Sequence, residues 1–396
     1  MPGNIFEFPG SRSGCPFSPS AELAAFARDR PVERITLWDG SPAWLVTRYA
    51  DVRAVLRDSR FSSAAHHPGF PWINDGLKAQ CTAGPTPFVR LDAPEHARVR
   101  NLLSEHFTPR RVETLRPRLN RIVDDCLDRM VRRGPPADLL AEVALPVPSL
   151  VICELLGVDY DDHEFFQERS TTLLQASAEA ASLARALDEL ISYLIGLIEG
   201  RRRRPDNGIV SQLSVDGELT DAEIAFTAMF LLIAGHETTA NQAALSTLAL
   251  LRDTEQSALL RANPGLLEGA VEELLRYAAI VHSGAPRVAT EDVTVGGRRI
   301  ASGEGVLCAL DTANHDERAF AAPERLHITR QARSHVAFGF GVHQCLGQSL
   351  ARVELQVFLE TLLRRLPGLR LAVPFGELRF NESGAVYGLR ELPVAW

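Results

Sequence analysis

The sequence predicts a mainly α-helical protein with a small β portion. Three observations carry that expectation. From Asp51 onward, apolar residues recur at helical spacing in one segment after another. Strand-like alternation is concentrated in two places, 33–49 and 285–310. No internal repeat and no low-complexity linker interrupts the 396 residues, so one domain over 1–396 is expected despite a length above the usual single-domain size. The composition, 45% apolar and 23% charged, is that of a globular chain. A net charge of −8 argues against a nucleic-acid binder, which is normally basic.

Residues 1–20 are rich in Pro, Gly and Ser and read as an irregular arm. The stretches ERITLWDG and SPAWLVTRY read as two strands joined at a turn. Residues 62–90 hold four prolines and three glycines together with Phe70 and Trp72, and read as a long loop of the kind that carries function. Helical patterns follow at 93–107, 110–133, 137–156, 161–175 and 178–202, the last ending in Arg201–Arg204 and Pro205, read as a solvated helix end. Thr220 and Glu223 have capping-box spacing and open the longest apolar helix, 221–252, about 48 Å long at the helical rise per residue. Another helix is expected over 264–277, then a β turn at Gly296–Gly297. An amphipathic helix over 346–365 aligns Leu346, Leu350, Val353 and Val357 on one stripe.

The six cysteines show no CxxC pair, so structural zinc and a four-cysteine iron–sulfur cluster are not expected. The first twenty residues lack a continuous apolar signal core, and free thiols in a reducing, cytoplasmic compartment are expected. The most apolar run, FTAMFLLIAG at 226–235, is far short of the roughly 20 residues that span a bilayer and reads as a buried helix.

The densest chemical signal is FGFGVHQCLG at 338–347. Cys345 stands just before a helix, where unpaired N–H groups and the helix dipole favour a thiolate. Gly339 and Gly341 let the loop pass close to a flat object, Gly347 permits tight packing in the first turn, and Phe338 and Phe340 keep water from the sulfur. One thiolate cannot complete a metal site, so a metal here takes its other ligands from elsewhere, as iron does in a haem. Taken alone, a buried cysteine in a glycine-rich turn is an ordinary small hydrophobe.

This decapeptide resembles the haem-ligand loop of the cytochrome P-450 monooxygenases, and the resemblance extends over essentially the entire chain, towards the soluble, ferredoxin-dependent members of antibiotic-producing filamentous bacteria. AGHETT at 234–239 is similar to the family's oxygen-activating segment, Glu273-Leu-Leu-Arg276 to its ExxR pair, and PERL at 323–326 to its PERF-like segment. The resemblance implies the triangular helical globule of that family, with a long central helix crossing haem b. It implies Cys345 as the axial iron ligand, with Ala234, Gly235, Phe338, Gly339 and Gly347 against the cofactor and His96, Arg100, Arg287 and His343 on its propionates. Thr238 hydrogen-bonds dioxygen and Glu237 helps to relay protons, in the roles the family gives those positions. Glu273 and Arg276, which alone read as a surface pair, become an internal pair bonded to Arg325 and hold the region beneath the haem.

Substrate-lining candidates by position are Phe70, Trp72, Ile73, Phe88, Ile233, Ile280, Val281, Val386 and Tyr387, together with the stretch at about 165–185. Their apolar character points to a medium or large lipophilic molecule such as a polyketide, macrolide, terpenoid, alkaloid or drug. The implied activity is insertion of one oxygen atom from O2, hydroxylation first, by a monomer that receives electrons from ferredoxin and ferredoxin reductase and does not insert into a membrane. Arg110, Arg111 and Arg352 read equally as a partner-facing basic patch or a solvated face. Epoxidation, N-oxidation or C–C coupling on the same scaffold stays open, as does a non-enzymatic haem sensor or carrier.

Overall fold

The structure, a computed structural model, describes residues 8–12, 14–75, 78, 86–158, 162–174, 180–382 and 386–396. Two compact units are built from interleaved stretches of chain: residues 1–98, 245–348 and 380–388 form the first, and 99–244, 349–379 and 389–396 the second.

The first unit is organised on a five-stranded sheet of β1 (Val32–Thr36), β2 (Pro42–Val46), β3 (Phe61–Ser62), β4 (Ala285–Ala289) and β5 (Gly305–Cys308), in the order β1-β2-β5-β4-β3. The expected hairpin is β1–β2, paired from Val32 with Val46 to Thr36 with Pro42. β2 then pairs in parallel with β5, and β4 antiparallel with β5. Alternation along these strands sorts side chains to two faces. Val46, Val306 and Cys308 enter one buried cluster, whereas Ala43, Leu45 and Leu307 enter another. The Gly296–Gly297 turn joins Val293–Val295 to Arg298–Ile300, and both glycines have positive φ (54° and 79°), as a type I′ turn demands.

The second unit is helical, with a small three-stranded sheet of Ala137–Asp138, Pro393–Ala395 and Arg370–Leu371. Helix Arg116–Arg133 buries Leu119, Ile122, Val123, Cys126, Leu127 and Met130, an i, i+3/i+4 stripe in which each large apolar side chain is worth about 1.5–3 kcal/mol. The expected long helix runs Asp221–Arg252. Its capping box is made on both sides: Glu223 N donates to Thr220 Oγ1 (3.3 Å), and Thr220 N donates to Glu223 Oε2 (2.8 Å).

Several expected helices differ in their boundaries. The pattern at 110–133 splits into Pro109–Glu113 and Arg116–Arg133, because Pro117 has no N–H to continue the ladder. The pattern at 137–156 begins as the strand Ala137–Asp138 and a π turn at Leu140–Ala144, and is an α-helix only over Pro146–Leu156. Helices Ala21–Asp29, Ile209–Asp216 and Thr254–Ala262 were not anticipated. The expected 161–175 and 178–202 appear as His163–Leu174 and Ala180–Arg203, with 175–179 outside the described residues. The arginine run closes helix Ala180–Arg203 as a solvated end, with Arg202, Arg203 and Arg204 exposed, while Arg202 pairs with Asp221 and Arg201 with Asp206 at 3.1 Å. No described helix is long and apolar enough to cross a membrane.

Candidate active site

In the first unit, the chain makes a short 3-10 turn at Gly341–His343 and then reaches Cys345, three residues ahead of helix Gln348–Arg365. The Cys345 N–H donates to Phe338 O (2.9 Å), which closes the loop, and the thiol side is exposed. Gly339 (φ 69°) has open space beside it, as does Gly347, and the positive φ of Gly339 is one that side-chain-bearing residues rarely adopt. Gly341 serves another purpose: a Cβ there would stand 2.4 Å from Leu56 O, so its close approach is to the protein's own backbone. Phe340 likewise turns inward, onto the sheet cluster and under the Arg53 guanidinium at 4.1 Å, which leaves the expected shielding of the sulfur to Phe338.

The His96 and His343 rings come together with centroids 4.0 Å apart, and Phe88 stacks on the far side of His96 at 6.1 Å. Arg100 follows His96 by one turn on helix Glu95–Ser104. Arg287, on β4, is 5% exposed and donates to Pro286 O (2.8 Å). Burial pulls its guanidinium down to about 10. No carboxylate ion-paired with it is found among the described residues, an arrangement that suits a carboxylate-bearing ligand.

The ExxR pair is fully enclosed. Arg276 donates Nε to Glu273 Oε2 (2.7 Å), Nη2 to Glu273 Oε1 (2.8 Å) and Nη1 to Asn314 O (2.8 Å), and neither side chain is exposed. The third partner is Arg330 rather than Arg325: Arg330 Nε lies 3.1 Å from Glu273 Oε1. The Arg325 guanidinium is 81% exposed beside Glu324, and only its carbonyl reaches the pair. The physical reason is that the 327–330 stretch closes on Glu273, through His327 N and Arg330 Nε, and fills the place expected for Arg325. In sequence, Arg330 carried no signal beyond being the next arginine.

In the second unit, Ala234 is exposed and Thr238 half-buried one turn later, in the middle of an otherwise buried helix. Thr238 Oγ1 donates to Ala234 O (2.7 Å) and keeps its lone pairs as acceptors. Burial pushes the Glu237 carboxyl up to about 7. A Cβ on Gly235 would meet Ile152 at 3.3 Å, so helix packing accounts for that glycine. His236 is buried, which lowers it to about 4, and its ring bonds the Leu145 backbone.

Among the substrate-lining candidates, Ile233, Ile280, Val281 and Val386 are half-buried. Phe70 and Trp72 pack on each other at 4.6 Å and on Val288, and Ile73 packs beside Leu45 and its cluster. Tyr387 is corrected to a core residue: it is 1% exposed, with the Arg12 guanidinium 4.2 Å over its ring and Phe380 stacked at 5.6 Å. Parts of the 62–90 loop (76–77 and 79–85) and of the 165–185 stretch lie outside the described residues.

Glu354, on helix Gln348–Arg365, escaped sequence reading. It is 3% exposed, and burial raises its carboxyl to about 8 from an ordinary 4.5. The folded chain therefore holds this proton more tightly than the unfolded chain, and stability falls as pH rises from about 4.5 to about 8, by at most about 1.4 kcal/mol per pH unit. Glu354→Gln is expected to flatten that fall and to melt higher than the parent at pH 8. Thermal melts from pH 5 to 9 check this, and an unaltered slope would refute it.

A haem fits these residues. Cys345 offers one sulfur to a metal, and a macrocycle is what supplies the other ligands of an iron held that way. The open space at Gly339 and Gly347 and the buried Arg287 cation suit a flat, carboxylate-bearing ligand.

Comparison with known proteins agrees. A family model described as "Cytochrome P450" matches residues 180–367. "Cytochrome P450-SU2" of Streptomyces griseolus is 56% identical, over 100% of this chain and 98% of its own. Pentalenic acid synthase of Streptomyces avermitilis is 46% identical, over 98% of this chain and 97% of its own. The crystal structure of the mycinamicin VIII C21 methyl hydroxylase of Micromonospora griseorubida, bound to mycinamicin VIII, superposes with a TM-score of 0.91 at 42% identity, covering 98% of this chain and 99% of that one. Fold and relatives together define a haem-dependent monooxygenase that uses O2, a redox partner and a small-molecule substrate. The chain belongs to the cytochrome P-450 family.

Proposed function

We propose that this protein hydroxylates a lipophilic secondary metabolite, with Cys345 as the axial thiolate of haem b and ferredoxin as the electron donor. The observation that carries the assignment is the exposed thiol of Cys345 in a loop closed by its own N–H and flanked by open glycines. Bound haem supplies the activation of O2 and the transfer of one oxygen atom. The chain's residues do the rest. Cys345 presents its sulfur near a helix start, where the dipole favours the anion. His96, Arg100, Arg287 and His343 would hold the two propionates, Arg287 with a guanidinium stripped of water by burial. Ala234, exposed on the long helix, and Phe338, Gly339 and Gly347, in the cysteine loop, are the residues that would contact the haem. Glu237, its carboxyl raised by burial to about 7, would take up and give back a proton near neutral pH, and Thr238 Oγ1, whose own proton goes to Ala234 O, would offer an acceptor to a proton donor beside it.

The half-buried Ile233, Ile280, Val281 and Val386 would contribute apolar surface to the substrate, whereas Phe88, 5% exposed and stacked on His96, is corrected to a packing residue. Relatives named for pentalenic acid synthesis and mycinamicin hydroxylation support a terpenoid- or macrolide-like substrate class. Arg110 and Arg111 are exposed and offer an acidic ferredoxin a cationic surface. We place the protein in the cytoplasm as a monomer.

The test is direct. The purified protein is expected to give, reduced under CO, the red-shifted Soret band of thiolate ligation, and to hydroxylate a terpenoid or macrolide with ferredoxin, ferredoxin reductase and O2. A colourless preparation, or a nitrogen-ligand spectrum, sinks the proposal. Thr238→Ala is expected to keep haem and substrate binding while product per electron pair falls roughly tenfold or more, the balance leaving as hydrogen peroxide. Peroxide and product assays on one reaction measure it; unchanged coupling removes Thr238 from proton delivery.

A further inference from the structure

Arg12 lies in the Pro/Gly/Ser-rich arm, where an exposed charge is the ordinary expectation, yet it is 5% exposed. Its guanidinium is gripped by partners from four separate stretches of the first unit. Nη1 donates to Pro16 O (3.3 Å), and Nη2 to Ala279 O and to Asp311 Oδ2, both at 3.0 Å. Its face covers the Tyr387 ring at 4.2 Å. The arm is fastened a second time where Ser11 Oγ (2.8 Å) and Arg12 N (3.2 Å) donate to Glu382.

What these bonds hold is more telling than their number. Ala279 directly precedes Ile280, whose carbonyl accepts from His282 N (2.9 Å) and from Tyr387 N (2.8 Å). Arg12 thus closes a ring: one end of the fork on Ala279–Ile280, its face on Tyr387, and Tyr387 bonded back to Ile280. The Arg12–Asp311 pair is buried on both sides, at 2% exposure each. Such a pair is poor value for stability against apolar residues of the same volume. The fork geometry does what an apolar residue cannot, because it sets distances and directions to several carbonyls at once.

We infer that Arg12 is a positioning residue that sets the placement of Ile280, Val281 and Val386, and through them which substrate shapes and which carbons are accepted. The inference rests on the reading of those three residues as substrate-lining. The arm acts as a strap drawn across the back of that wall. Loosening it lets the 279–282 turn and the 386–387 segment drift apart, and apolar contacts that fix a substrate's orientation drift with them.

The experiment uses ferric, haem-loaded full-length protein titrated with imidazole and with 4-phenylimidazole, read as the haem Soret shift. Imidazole reports access to iron alone; the phenyl ring of the larger probe must also fit the wall. Arg12→Met with Asp311→Leu removes both charges together and so leaves none buried unpaired. Arg12→Lys keeps the charge and loses the fork. In the double variant, the CO band and the imidazole Kd are expected to hold within about twofold while the 4-phenylimidazole Kd moves by about tenfold; Arg12→Lys is expected between parent and double variant. Should the double variant not accumulate, Arg12→Lys decides by the same criterion. Unchanged 4-phenylimidazole affinity, or equal shifts for both probes, overturns the inference. Ile280→Phe and Val281→Phe with Arg12 intact separate the two layers. If neither alters 4-phenylimidazole binding, the lining assignment falls and the inference with it; if they do and the Arg12 variants do not, the strap alone is wrong.

Discussion

Cys345→Ala is expected to abolish the thiolate CO band and to lower O2-dependent product formation by more than about a thousandfold, since loss of even an outer-shell partner of a metal ligand costs roughly 10- to 100-fold. The fold is expected to survive. The Cys345 main-chain N–H donates to Phe338 O at 2.9 Å and closes the loop, and alanine keeps that bond. The side chain is exposed, so its removal opens no cavity in a packed core. The measurement pairs a reduced-CO difference spectrum with a thermal melt of the same preparation. Retention of the thiolate band would remove Cys345 from the metal, and collapse of the melt would mean that the sulfur packs rather than ligates.

Removing Glu273 is expected to be the most damaging change away from the sulfur. Its carboxylate takes two bonds from Arg276, one from Arg330 Nε and one from His327 N, all at 3.1 Å or less. Glu273→Ala leaves the Arg276 guanidinium, which has no exposed surface, without its counter-charge, at a cost of about 3–5 kcal/mol. That corresponds to a drop in Tm of about 4–6 °C for a chain of 396 residues. Haem content falls with it, because the same carboxylate holds the 327–330 stretch that leads into the cysteine loop. The two arginines make a sharper comparison. Arg330→Ala is expected to cost roughly 1.5–3 kcal/mol, the worth of a hydrogen bond to a charged group. Arg325→Ala is expected to stay within about 0.5 kcal/mol, as an exposed side chain should. Denaturant melts of the three variants give the ranking, and a larger loss for Arg325 than for Arg330 would reverse the assignment.

The family and the long helix Asp221–Arg252 were legible in the sequence because each depends on spacing within a short stretch. A glycine two residues from a phenylalanine, a capping box ahead of an apolar run and a Gly-Gly turn impose local conformations that neighbours rarely overrule. Helix breaks were less legible. Pro117 and Pro146 sit inside apolar patterns that read as continuous, and the missing N–H matters only once the ladder is traced.

Arg330, Gly341, Phe340, Tyr387, Glu354 and Arg12 mark the other limit. Local sequence assigned Gly341 and Phe340 to the ligand side and Tyr387 to a substrate wall, yet Leu56 O, Arg53 and Arg12 occupy those directions. Each partner lies tens to hundreds of residues away in the chain. Glu354 stands on an unremarkable amphipathic helix, and only enclosure from all sides makes its carboxyl hold a proton near pH 8. Motifs a few residues long were therefore enough, through the family resemblance they carry, to give the reaction class, and a capping box ahead of an apolar run was enough to give the principal helix. Which arginine completes the buried pair, which aromatics belong to the core and which charges are stripped of water follow from contacts made when distant segments close on one another, and desolvation exists only after that closure.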